Sequence, residues 1–254
     1  MNTLNVHSAV FISDLHLADD TPLLLAQWRR FCMNLDPART EWLIIMGDLF
    51  EAYCGDDDDS AINVAVEAVL VDLHRRGIRV ALMHGNRDFV IRDGFAKRCH
   101  AVILQDPCVL NGHTVLSHGD RYCTRDGGYQ TFRQASRQPA WQAAFLSQSL
   151  SVRQAQVQAY RLQSKSAQMD VNNADTDAVA EAFISEVQAL ACDTVIHGHT
   201  HRPCDERVSS PSEGSSTIRR VVLGDWQTSG TLAHVAELHS GVLYLIKIAP
   251  YVAD

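Results

Sequence analysis

Val6-His7-Ser8-Ala9-Val10-Phe11-Ile12-Ser13-Asp14-Leu15-His16 is the stretch on which the fold turns. Residues 6–13 are β-rich and end in an Asp-x-His, and residues 21–35 then have the character of a helix, with Thr21 as N-cap and Pro22 in the first turn. The same order repeats downstream. Trp42–Met46 is an apolar strand candidate ending in Gly47-Asp48, and a helical stretch over 60–76 follows, closed by Gly77. Residues 78–83 form the next strand candidate, ending in His84-Gly85-Asn86. Strand, polar loop and helix in repetition predict an α/β chain, its parallel or mixed sheet covered by helices. Polar loop residues then converge at the carboxyl ends of strands, where open α/β sheets place their sites.

Two further runs belong with these loops. Residues 101–104 and 109–117 have the look of short strands leading into His118-Gly119-Asp120, and 194–196 leads into His197-Gly198-His199-Thr200-His201. A lone Asp-x-His or His-x-His usually decorates a turn, but five such runs in order along one chain point to a two-metal phosphoesterase site. Toward the end the pattern changes to alternating strands over 221–223, 234–238 and 242–248, the last two joined by a hairpin turn at His239-Ser240-Gly241. Residues 209–216 are rich in Ser, Pro and Gly and are expected to form a mobile loop.

Composition sets the bounds. A chain of 254 residues with 46% hydrophobic content can bury one sizeable α/β domain, here expected to span 1–254 with an insertion. The longest apolar runs, such as Trp42–Met46 and 69–71, fall far short of the ~20 residues that cross a bilayer, and residues 1–8 lack the features of a secretion signal. Seven cysteines, odd in number and without a Cys-x-x-Cys, fit reduced thiols, so the cytoplasm is favoured. A net charge of -8 argues against a nucleic-acid partner.

Residues 121–169 stand apart, with ten Gln, six Arg and one Lys against a single acid, Asp126, a net +6 that leaves -14 on the remainder. Trp141, Phe145, Leu150, Val157 and Tyr160 recur at helical intervals and Pro139 stands near a helix start. The stretch is expected to be a helical insertion, about 121–170, over the site. Composition alone fits equally a pair of solvated helices whose charge does nothing specific. Position in the chain favours the insertion, because the stretch lies between two metal-ligand motifs and so must begin and end near the metals.

Residues two apart in a strand face the same way, so Asp14 and His16 can present an oxygen and a nitrogen to one ion. Asp48 can give one oxygen to each of two cations ~3.5 to 4 Å apart. Asn86 offers a carbonyl oxygen, and Gly85 beside it lets backbone come close to metal or phosphate. His118, His199 and His201 complete two shells of mixed ligands. Such ligation without cysteine suits Mn, Fe or Zn better than Ca, with Mn2+ preferred. Two ions would lower the pKa of a shared water, aim it at phosphorus and neutralise charge on the phosphoryl oxygens. Asp88 and Asp120 either hold ligand imidazoles in place or cap loops. His84 and His197, beside ligand glycines, are expected behind the ligands, whereas His7, His74, His100, His113 and His234 belong to no motif. The acidic run 56–59 is expected to be a solvated loop.

The ordered motifs resemble the calcineurin-like metallophosphoesterase superfamily over about the whole chain. This implies a mixed β-sandwich flanked by helices, one metal held by Asp14, His16, Asp48 and His201, and a second by Asp48, Asn86, His118 and His199. A narrower set, Ser13-Asp14-Leu15-His16-Leu17, Gly47-Asp48-Leu49-Phe50-Glu51-Ala52, His84-Gly85-Asn86-Arg87-Asp88-Phe89, His197-Gly198-His199-Thr200-His201-Arg202-Pro203 and Leu223-Gly224-Asp225-Trp226, is similar to the UDP-2,3-diacylglucosamine diphosphatase family of lipid A biosynthesis. Many superfamily members carry His after Gly-Asn, where it can protonate a leaving group. This chain has Arg87, as that family does, which can clamp phosphate oxygens.

The resemblance implies a hydrolase in which a two-metal-activated water attacks the α-phosphate of UDP-2,3-diacylglucosamine, giving UMP and 2,3-diacylglucosamine 1-phosphate. Asp48, Asn86, Arg87 and His118 would form the catalytic set, and Asn86, Arg87, Asp126, Ser164, Lys165 and His199 would touch substrate. The implied location is cytoplasmic, peripheral on the inner membrane, where the insertion's apolar residues and positive charge would meet acyl chains, diphosphate and bilayer. No protein partner is implied. The interval from Lys165 to Met169 is several residues shorter than is usual in the family. Two alternatives stand beside this reading: a phosphoesterase acting on a soluble nucleotide or phosphoester, and a binding scaffold that has lost catalysis.

Overall fold

The computed structural model describes residues 2–170, 177–209 and 217–251. In chain order the first strands and helices are β1 (Asn2–Leu4), β2 (Ser8–Ile12), α1 (Pro22–Asn34), β3 (Trp42–Met46), α2 (Ala61–Arg75), β4 (Arg79–Met83), α3 (Asp93–Arg98), β5 (Ala101–Leu104), β6 (Cys108–Leu110) and β7 (Thr114–Leu116). After a 3-10 turn at Asp120–Tyr122 come α4 (Gly127–Ser136), α5 (Pro139–Leu146), α6 (Leu150–Asp170) and α7 (Ala180–Ala189). The chain returns through β8 (Thr194–His197), β9 (Cys204–Ser209), β10 (Thr217–Val222), β11 (Ala233–His239) and β12 (Val242–Ile248).

These strands make two six-stranded mixed sheets, ordered β1-β6-β7-β8-β10-β9 and β12-β11-β2-β3-β4-β5. β2, β3, β4 and β5 run parallel, and β11 joins β2 antiparallel. Strand alternation explains the layering. Ala9 and Phe11, with Trp42, Ile44 and Met46, pack against Leu110, Leu116, Ile196 and Val221 of the other sheet. Val10, Ile12, Leu43 and Ile45 face the opposite way, onto Trp28 and Phe31 of α1 and Val66 and Leu70 of α2. A strand buried on both faces has no polar side, so β2 and β3 appear in the sequence as continuous apolar runs. On the outer face of the first sheet Val115, Val195 and Ile218 meet Phe183, Ile184 and Val187 of α7. The architecture is therefore the helix-flanked mixed β-sandwich that the motifs implied.

Local chemistry sets several boundaries. Pro22 opens α1, but Thr21 does not cap it; its hydroxyl donates to the Ala18 carbonyl and accepts from the Ala18 N–H. Gly77, at φ +89°, ends α2 as Ile78 N–H donates to Leu73 O and Gly77 N–H to His74 O, a Schellman closure. His239 and Val242 pair across Ser240 and Gly241, both with positive φ, as a tight hairpin requires. All seven cysteines are free and five are buried, in line with thiols used as small apolar residues. Most of the expected mobile loop, 210–216, lies outside the described residues. Among the described residues no helix is long and apolar enough to cross a membrane.

Candidate metal centre

The candidate ligands occupy the loops that follow β2, β3, β4, β7 and β8, so both sheets deliver them to one edge of the sandwich. Backbone hydrogen bonds lace these loops together: Asp14 N to Gly47 O (3.1 Å), His16 N to Asp48 O (3.0 Å), Gly198 N to His118 O (2.9 Å) and Trp226 N to Asp14 O (3.1 Å). Asp14, His16, Asp48, His199 and His201 all have φ between 51° and 67°. Left-handed backbone at five non-glycine residues costs on the order of 1 kcal/mol or more each, a concentration of strain that a packed scaffold must hold in place. It also corrects the expectation from strand alternation. Asp14 and His16 lie beyond the end of β2 and converge through left-handed turns, not through a shared strand face.

Glycines give the ligands room at two points. A Cβ on Gly85 would stand 2.1 Å from Asp48 Oδ1, and one on Gly198 would stand 2.3 Å from Asp14 Oδ2. Two clusters result. His16 Nε2 lies 3.3 Å from His201 Nε2, which is 3.5 Å from Asp14 Oδ1, while Asp48 Oδ2 stands 3.9 Å from His16 Nε2. On the other side Asn86 Oδ1 lies 3.0 Å from His118 Nε2 and 2.9 Å from His199 Nδ1, with Asp48 Oδ1 3.8 Å from His118 Nε2. The two oxygens of Asp48 thus face different clusters, as a bridging carboxylate would.

These atoms fit divalent cations. Asp14 Oδ1 is buried without a hydrogen-bond partner among the described residues, while Oδ2 accepts from Ser13 Oγ and His199 N. His118 Nδ1–H donates to Met46 O, which turns Nε2 and its lone pair toward the Asn86 oxygen. Two lone pairs at that distance need a proton or a cation between them. The 3.3 Å separation of the His16 and His201 Nε2 atoms is likewise one that two ligands of a single cation would have.

In the metal-free protein, protons take that place. Burial opposes charge on His118, but Asp48, Asp14 and Asp120 outweigh it and raise its pKa to about 9. His16 is raised to about 8, burial again being outweighed, here by Glu51, Asp48 and Asp14. Burial and the charge on His118 lower His199 to about 4. Loading Mn2+ at pH 7 is therefore expected to release protons from His16 and His118, and apparent affinity should climb with pH until about 9 and then level. Calorimetry in buffers of different ionisation enthalpy reads the proton count. A pH-independent affinity between pH 6 and 9 would contradict the assignment.

The supporting residues sort themselves by what they touch. Asp88 accepts from Gly85 N and Leu49 N, so it ties two ligand loops by their backbones rather than holding an imidazole. Asp120 accepts from Tyr129 Oη, Arg133 Nε and Arg137 Nη2, anchoring α4. The Tyr129 ring in turn stacks on His199, at 6.1 Å between centroids. His84 donates to Ile91 O and His197 accepts from Arg220 Nε, so both brace loops behind the site. Glu51 Oε2, 2.9 Å from His16 Nδ1, and Asp225 Oδ2, 3.7 Å from His201 Nδ1, back the ligands directly. Sequence reasoning gave neither acid a role, although both sit inside quoted motifs.

Two expectations about charge are corrected. Five of the six arginines in residues 121–169 pair with acids elsewhere in the chain: Arg121 with Glu186, Arg133 and Arg137 with Asp120, Arg153 with Asp57 and Arg161 with Glu51. These pairs hold α4 and α6 to the sandwich, so the charge of those five arginines is turned inward. The run 56–59 is only partly the solvated loop expected: Asp57 and Asp59 are exposed, but three of its acids bond to the chain. Asp56 accepts from Arg92 N and Phe95 N, Asp57 holds the buried Arg153, and Asp58 accepts from Ser60 N.

Among the expected substrate contacts, Arg87 donates its N–H to Asp48 Oδ1, and its buried Nε has no hydrogen-bond partner among the described residues. Asp126 caps α4 by accepting from Tyr129 N. The Ser164 and Lys165 side chains lie outside the described residues.

Comparison with known proteins agrees with this geometry. A family model described as calcineurin-like phosphoesterase matches residues 7–203. A UDP-2,3-diacylglucosamine hydrolase of Stenotrophomonas maltophilia (strain K279a) is 40% identical over 238 residues, covering 90% of this chain and 94% of the relative. Proteins of the same name from Xanthomonas campestris pv. campestris (strain ATCC 33913) and Aromatoleum aromaticum are also 40% identical, covering 90% and 86% of this chain and 95% and 89% of their own. With the match spanning all five ligand loops, the chain belongs to the calcineurin-like phosphoesterase family.

Proposed function

We propose that this enzyme hydrolyses the pyrophosphate bond of UDP-2,3-diacylglucosamine. The observation that carries the reading is the Nε of Arg87, unpartnered among the described residues and beside a two-cluster ligand set, in a chain whose relatives bear that substrate's name. Asp14, His16, Asp48 and His201 would hold one cation, and Asp48, Asn86, His118 and His199 the other, with Mn2+ preferred. Bound cations would supply Lewis-acid polarisation of the phosphoryl oxygens and a more acidic water. Arg87 grips phosphate oxygens with its forked donors, while its backbone N–H keeps Asp48 turned toward both clusters. Water adds to the α-phosphorus, the bond to the bridging oxygen breaks, and that oxygen leaves on 2,3-diacylglucosamine 1-phosphate while UMP keeps the new oxygen. A phosphate monoester is a stable leaving group, so no protein acid is required.

The acyl chains have an apolar neighbour. Phe89 lies 6.4 Å from Phe132 and 5.9 Å from Trp141, and Phe132 lies 5.4 Å from Tyr160, ring to ring, which puts an aromatic cluster two residues from Arg87. Release of UMP from the diacyl substrate with added Mn2+ tests the reading. Turnover should fall by at least about 10-fold when the acyl chains are removed. Equal turnover of soluble phosphoesters would overturn it in favour of a nucleotide or simple ester substrate.

Peripheral contact with the cytoplasmic face of the inner membrane follows from where such a substrate resides. With the arginines paired inward, the contact falls to exposed apolar side chains of α6, Val152 and Tyr160, 45% and 43% exposed. Val152→Glu with Tyr160→Glu is expected to weaken sedimentation with anionic phospholipid vesicles, and unchanged sedimentation would contradict that placement.

A further inference from the structure

Glu51 divides its carboxylate between two parts of the molecule. Oε2 stands 2.9 Å from His16 Nδ1, and Oε1 accepts from Arg161 Nη2 at 2.6 Å. Arg161 belongs to α6, more than one hundred residues away in sequence, and His16 is a candidate ligand of the first cluster. The contact with Arg161 is a hydrogen bond, whereas that with His16 is an ion-pair approach outside hydrogen-bond geometry. The Glu51 side chain is 18% exposed, and its backbone N–H donates to Leu17 O at 3.0 Å, which fixes the loop carrying it to the loop carrying His16. An imidazole that meets a carboxylate at Nδ1 presents Nε2 to a metal, so the position of Glu51 sets the direction of the His16 lone pair. The position of Arg161 biases Glu51 in turn.

We infer that Glu51 is a positioning residue that couples the docking of α6 to the orientation of His16, so that filling the metal centre and closing the insertion favour each other. The inference rests on the metal-centre reading. Coupling of this kind is reciprocal: a cation that orders His16 must tighten α6 by the same factor that α6 tightens the cation. Glu51 is thus a joint between two elements and is not required to touch substrate.

Hydrogen exchange of the α6 amides, with and without Mn2+ and without substrate, tests it. In the wild-type protein Mn2+ should slow exchange over residues 150–161 by about fivefold or more, leaving α7 unchanged. Arg161→Gln keeps the contact between Glu51 and His16, so Mn2+ still binds in calorimetry, but α6 exchange no longer responds to the metal. Glu51→Gln should also remove the response; if that variant fails to fold, Arg161→Gln alone decides. A response that survives in Arg161→Gln, or is missing in the wild type while Mn2+ binds, overturns the coupling. Absence of Mn2+ binding to the wild type would instead overturn the metal centre, so the two failures are distinguishable.

Discussion

Asp48→Ala is expected to lower kcat for UMP release by about 10³-fold or more at saturating Mn2+. Its two oxygens lie 3.9 Å from His16 Nε2 and 3.8 Å from His118 Nε2, so each faces a different cluster. Deletion removes a ligand from each cluster and the separation they impose on one another. It also frees the Arg87 backbone N–H, which donates to Oδ1. Because Ala leaves a hole in a buried site, Asp48→Asn serves as the shape-preserving companion: it keeps an oxygen for Arg87 N and loses the charge. Metal content by elemental analysis separates the causes. Fewer than two ions per chain in either variant, together with the fall in kcat, identifies the bridge; wild-type stoichiometry and unchanged turnover would remove Asp48 from that role.

The loops that carry the candidate ligands were legible in the sequence because they follow strands that announce themselves and few side-chain types can serve a metal. β2 and β3 are buried on both faces and stop abruptly at Ser13 and Gly47, so each apolar run points directly at its ligand. What escaped has a physical reason in each case. β9, Cys204-Asp-Glu-Arg-Val-Ser, is an edge strand with exposed charges, and edge strands do not carry the alternation that marks a half-buried one. α3 is six residues long, less than two turns and too short for the i, i+3, i+4, i+7 pattern to show. The convergence of Asp14 with His16 depends on left-handed backbone, which Asp and His adopt more often than most residues but which neither dictates. Charge misled most. A net +6 looked like a surface for anions, and only pairwise geometry shows Arg121, Arg133, Arg137, Arg153 and Arg161 turned onto acids of their own chain. Net charge states how much is there and not which way it points.

Arg87→His should separate the two kinds of phosphoester chemistry available to such a site. Arginine holds its charge at any accessible pH and presents several donors in a plane, so it can grip phosphate but not give up a proton. Histidine can give a proton near neutral pH and makes fewer contacts. Losing a charge-assisted contact of ~1.5 to 3 kcal/mol to the departing phosphate should lower kcat/KM on the lipid diphosphate by roughly 10- to 100-fold. A phosphodiester with a poor alkoxide leaving group should lose less, or gain, and its rate should acquire a limb that falls as pH rises past the histidine pKa. Arg87→Lys keeps charge without the fork and should fall between wild type and Arg87→His on the diphosphate, with no new limb. The environment favours a clear result, because Arg87 Nε is buried without a partner among the described residues and the Glu51 carboxyl nearby is held down to about 2, burial being outweighed by His16, Arg87 and Arg161. Full diphosphate turnover in Arg87→His would show that the clamp is not needed and that the leaving group departs on its own stability, leaving the substrate preference to the insertion.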